Sequence, residues 1–173
     1  MGIYASHVLH VILYWLLLRL TYRILIGGNM KNSIFYDKFW NIIDYAEKHN
    51  SLLYNYKKYI KFCFLFIPRL KHKIPNNFLN YLDLAEKYWY KHEITPEEMS
   101  KIRSMIWDFL DKQDATYNPK KMPIIRFIHQ LFQTEPQAEI DEYFTWAIEL
   151  LRLIGISDAE ILENLHKAFN ENM

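Results

Sequence analysis

Thr95-Pro96-Glu97-Glu98-Met99-Ser100-Lys101-Ile102-Arg103-Ser104-Met105-Ile106 carries three separate marks of a helix start. Thr95 is an N-cap residue, Pro96 suits the first helical position, and Glu98 stands where it can close a capping box with Thr95. Met99, Ile102, Ile106, Phe109 and Leu110 then recur at helical spacing, up to about Lys112.

The same grammar extends outward in both directions. Upstream, apolar residues at helical spacing predict helices over about 33–49, 51–67 and 76–91. Asn50-Ser51 separates the first two, and Pro68 and Pro75 bracket a basic connector, Arg69 to Lys73. Downstream, a polar loop from Gln113 to Lys121 leads to a short helix over about 122–132. Two further capping boxes, Thr134 with Gln137 and Ser157 with Glu160, start the last two helices, and Gly155 ends the first of them. There is no Asn-Gly or Asp-Gly hairpin turn. The fold class is therefore all-α: about seven helices in a compact bundle-like or irregular α-array, a single domain over residues 30–173.

Residues 1–29 differ in character. A hydrophobic stretch from Ile3 to Ile26 is long enough to cross a bilayer, but Arg19 and Arg23 interrupt it. A signal peptide would carry its positive charge before the apolar run, whereas both arginines follow it. Ile26-Gly27-Gly28-Asn29-Met30 is also what a purine-rich ribosome-binding string ahead of an ATG codon becomes when translated in frame. The expectation is a misassigned start with Met30 as initiator; the alternative is a membrane anchor over residues 3–26. Arg19, Arg23, Lys31 and Lys38, all on the C-terminal side of its apolar run, would leave the domain facing the cytoplasm from the inner membrane. The lone Cys63, in an apolar run, reads as a buried small hydrophobe in a reducing cytoplasm, so both readings give a cytoplasmic domain.

Chemistry-bearing patterns are missing. One cysteine and no His-x3-His pair leave no zinc set. No serine lies in a nucleophile elbow, and Gly155 alone after Met30 rules out a glycine-rich phosphate loop. His49, His72, His92, His129 and His166 are scattered and read as surface or capping residues. No enzyme activity, cofactor or metal is expected.

Charge is more informative. Lys48 to Leu82 holds seven Lys/Arg and no acids, a balance of +7, while Asp83 onward holds seventeen acids against ten bases, −7. Thr134 to Met173 alone has nine acids and two bases. The basic stretch interleaves Tyr56 and Tyr59 with Lys57, Lys58 and Lys61 as some nucleic-acid binders do. Helical spacing instead buries the tyrosines and leaves the lysines in water, which argues against nucleic acid as partner. Asp108, Asp111 and Asp114 are spaced by three at the end of their helix. Asp111 is expected to pair structurally with Arg126. Asp108, Asp114, Glu139, Asp141 and Glu142 form the candidate docking face for a basic protein partner.

Leu84-Ala85-Glu86-Lys87, Glu93-Ile94-Thr95-Pro96-Glu97-Glu98, Trp107-Asp108-Phe109-Leu110-Asp111 and Arg126 before Leu131-Phe132 carry a resemblance. Residues 82–169 resemble all-helical immunity proteins of bacterial polymorphic or contact-dependent toxin systems. The resemblance implies a cytoplasmic protein that binds and neutralises a cognate toxin, with no cofactor and no turnover. An acidic face would suit a basic toxin domain, as of a toxin acting on nucleic acid. The alternative is a helical regulatory or scaffold protein, membrane-tethered if residues 3–26 are translated.

Overall fold

The computed structural model describes residues 30–115, 118, 120–136 and 140–170. The expectations for residues 1–29 and for Glu139 and Gln137 lie outside them. Among the described residues there are seven α-helices and no strand: α1 (Met30–His49), α2 (Leu52–Leu70), α3 (Asn76–Glu86), α4 (Pro96–Lys112), α5 (Pro123–Gln130), α6 (Ile140–Ile154) and α7 (Asp158–Asn170). The all-α class is therefore as the periodicity predicts. None of these helices is long and apolar enough to cross a membrane.

The chain divides into two compact units, Met1–Asn41 and Ile42–Met173. The described part of the first is the start of α1, where Phe35 and Phe39 stack in parallel, one helical turn apart, at 6.2 Å. The second unit is organised on α2, which packs on both α6 and α7. Ser51 starts α2 by accepting the Tyr54 N–H, and the Asn55 amide donates to the Ala46 carbonyl at 3.0 Å, tying α2 back to the end of α1. Tyr56, Tyr59, Ile60, Phe62, Cys63, Phe66 and Leu70 are buried. Helical spacing alone predicts a stripe of Leu52, Tyr56, Tyr59, Ile60, Cys63, Phe64 and Ile67. The buried face adds Phe62, Phe66 and Leu70 because α6 and α7 both cover α2, while Leu52 is exposed and Phe64 and Ile67 are half-buried.

Two expectations for α2 change. Lys58 is not in water: it is buried, with its ammonium 5.2 Å from the centre of the Tyr54 ring. Pro68 does not end the helix, which continues to Leu70 before a 3-10 turn, Lys71–Lys73. Proline removes only its own N–H, and the helix regains a bond when Lys71 N–H reaches the Ile67 carbonyl.

Around this core the remaining helices follow their caps. The α4 box is complete: Thr95 Oγ1 accepts the Glu98 N–H and Thr95 N–H donates to Glu98 Oε2 at 2.9 Å. The Ser157 box is half-formed, for Ser157 accepts the Glu160 N–H while the Glu160 carboxylate pairs with Arg69. Gly155, at φ +93°, ends α6 in a Schellman motif, with Gly155 N–H bonded to Arg152 O and Ile156 N–H to Leu151 O. After α3 the chain makes one π-helical turn, Lys87–Lys91, which His92 closes in the left-handed region. That turn places Trp89 so that its indole N–H donates to the Leu131 carbonyl at 2.8 Å, satisfying the end of α5.

Candidate functional site

On the solvent side of α4, Ser100, Arg103, Ser104, Trp107 and Asp108 line a cleft of about 330 Å³ with His129 of α5 as its opposite wall. Their spacing is the i, i+3, i+4, i+7, i+8 stripe that puts side chains on one helix face. The core stripe of α4, Met99, Ile102, Ile106 and Leu110, is buried, so this second stripe is left to face outward. Helix α4 is held at its start by the capping box and packs on α5, and α5 packs on α6. The cleft thus stands on two braced helices.

His129 is the least accessible wall, 8% exposed, and its Nε2 is buried without a hydrogen-bond partner. Burial first, then the charges of Arg103 and Arg126, push its pKa down to about 4, so the ring is neutral at physiological pH. Trp107 lies beside it, ring centres 5.4 Å apart, and keeps 43% of its surface open to solvent. Arg103 has no ion pair among the described residues. The cleft offers a cation, a flat aromatic wall, hydroxyls, a neutral imidazole nitrogen and one carboxylate, which is equipment for recognition. Among the described residues no three His, Cys, Asp or Glu side chains are grouped to hold a metal. Cys63 is buried against Tyr59, and burial pushes its thiol up to about 12, far from thiolate chemistry.

The expected docking residues are dispersed. Asp108 lines the cleft. Asp114 occupies the left-handed position, φ 50°, that ends α4, with Ala115 N–H on Leu110 O and Asp114 N–H on Asp111 O; its carboxylate pairs with Lys121 at 2.9 Å. Its place in the chain is therefore a helix stop. Asp141 is buried at 4% exposure in the first turn of α6, which removes it from any docking face. The backbone dipoles at a helix N-terminus offset part of the cost of burying its charge. Glu142 is exposed on the same turn. Asp111 is exposed in the last turn of α4. Arg126 is buried, donates from Nη1 to the Ala115 carbonyl at 2.6 Å, and rests over the Trp146 ring at 5.2 Å. Arg103 is the residue that sequence reading passed over, and His129, expected at the surface or in a cap, is instead buried because α5 packs between α4 and α6. The signal for both was the polar 100–108 stripe, together with Arg126 and His129 set one turn apart in a largely apolar helix.

No protein-family model, curated protein or solved structure matches the chain.

Proposed function

We propose that the protein is a non-enzymatic bacterial interaction protein, and that its specific role is immunity: it binds a cognate toxin and blocks it in the cytoplasm. The observation that carries the reading is the α4–α5 cleft. Trp107 and Arg103, residue types that dominate binding energy at protein interfaces, stand together there on a braced helix, beside Asp108 and above a buried unpaired nitrogen. Trp107 and Asp108 also belong to the segment that resembles immunity proteins. The surplus of acids after Asp83 supports a basic partner, since opposite fields speed encounter and exclude wrong partners. Blocking then needs only occupancy: a helical body seated over a toxin's substrate cleft excludes the substrate without any chemical step.

A helical regulatory or scaffold protein, tethered through residues 3–26, is the second reading, favoured by the hydrophobic run of that segment. Co-purification of the full chain with the product of the adjacent gene distinguishes the two. The expected result is a stable complex that abolishes that product's toxicity and that Trp107→Ala weakens. No complex, or a complex indifferent to Trp107→Ala, removes the immunity reading at this site. N-terminal mass analysis of the native protein decides between Met1 and Met30.

A further inference from the structure

We infer that the α4–α5 cleft is a carboxylate site: it takes a singly charged carboxylate whose flat body lies along Trp107. Two donors line the cleft without a partner among the described residues, and a third lies sealed beneath it. The Arg103 guanidinium has no ion pair among the described residues. The Ser100 hydroxyl has no hydrogen bond among them, its neighbour Ser104 donating instead to the Ser100 carbonyl at 3.1 Å. The third is Nε2 of His129, on a residue 8% exposed; it is unsatisfied, and in the Nε2–H tautomer it donates once the flanking Trp107 ring shifts to admit a ligand. A carboxylate accepts from a planar guanidinium by two parallel bonds and still has lone pairs for a ring N–H and a hydroxyl.

Charge selects among anions. Arg103 is the one cation of the lining and the imidazole is neutral, so a monoanion finds one guanidinium to pair with, while a phosphate dianion lacks a second cation and meets twice the repulsion from Asp108. A volume of about 330 Å³ admits an aromatic acid or the last residue of a chain. The ligand is therefore a free aromatic acid or a polypeptide's carboxylate, one chemistry from two sources. This inference rests on the cleft being a recognition site and not on what the toxin is.

The test is a titration of the full chain, observing the His129 ring and Trp107 indole resonances. The probes are benzoate, benzamide, inorganic phosphate, and an acetylated peptide ending in phenylalanine as its acid and as its amide. Saturable shifts with benzoate support the inference and assign a free acid. Shifts with the peptide acid alone support it and assign a polypeptide end. Arg103→Gln is expected to weaken the acid about tenfold, with Arg103→Lys intermediate, because only arginine offers the two-pronged contact. Arg103 is only partly buried, so both variants keep the fold, and near-ultraviolet dichroism checks that. Shifts from neither acid, equal shifts from the amides, or indifference to Arg103→Gln overturn the inference. Failure of toxin binding with acid binding intact removes the immunity reading alone, and the reverse outcome removes the carboxylate alone.

Discussion

His129 ends α5 with a ring that burial keeps neutral, its pKa near 4 against an ordinary 6.5. After burial itself, the charges of Arg103 and Arg126 hold that pKa down. The unfolded chain binds this proton more readily than the native one, so stability rises with pH between the two values and falls as pH drops below 6.5. Between pH 7.5 and pH 5 this residue alone is expected to remove about 2 kcal/mol. His129→Gln should flatten that slope in urea melts across the range; an unchanged slope would place the pH dependence elsewhere. Asp114 makes a different point. Its left-handed φ of 50° is strained for an L side chain, and its charge opposes the C-terminal dipole of α4. Asp114→Gly is expected to stabilise by about 1 kcal/mol and to leave partner affinity unchanged, against a loss of the exposed Lys121 pair that is worth less. A drop in affinity would restore Asp114 to the docking surface.

At the level of elements, α4 was legible because everything that starts it is local: Thr95, Pro96 and Glu98 satisfy one another within four residues. Thr95→Ala should cost about 1 kcal/mol in thermal or chemical melts. The end of α3 was not legible. Its π turn is held from outside, by the Trp89 indole on the Leu131 carbonyl and by Tyr90 packed on Phe64, contacts no local pattern encodes. Trp89→Phe keeps the ring and deletes the donor, so the loss of about 1–3 kcal/mol it is expected to cause measures an orphaned carbonyl. The cleft was half legible for the same reason. Asp108 stood out by charge, but reading by apolar period passes over a polar stripe, and the burial of His129 depends on where α5 lies. The polar connection between α4 and α5 retains one local expectation, the pairing of Asp111 with Arg126. A double-mutant cycle on Asp111→Asn and Arg126→Gln is expected to give a coupling of at least about 0.5 kcal/mol; additivity would remove the pair.

Across the whole molecule, the opposed charges of the two halves of the sequence acquire an internal use. Arg69, from the basic stretch, pairs with Glu160 at the start of α7, and Lys73 caps the end of α6 by donating to the Ile154 carbonyl at 3.2 Å. Basic residues after α2 thus meet the acids and carbonyls of the very helices that α2 packs against. Part of the asymmetry is therefore complementarity within the fold, and the acids that stay exposed, Asp108 and Glu142 among them, face the solvent through which a partner approaches. Steering and anchoring are then separable. Glu142→Gln, on the exposed first turn of α6, should slow association with the cognate partner modestly and only at low salt, because screening erases a single exposed charge. Trp107→Ala should leave the melting temperature nearly unchanged, since the side chain is substantially exposed, while speeding dissociation by more than about thirtyfold, the size expected when an interface anchor is removed. Association and dissociation rates measured at two ionic strengths resolve the pair. If Trp107→Ala leaves dissociation untouched while Glu142→Gln changes it, the partner sits on α6 and not over the α4–α5 cleft.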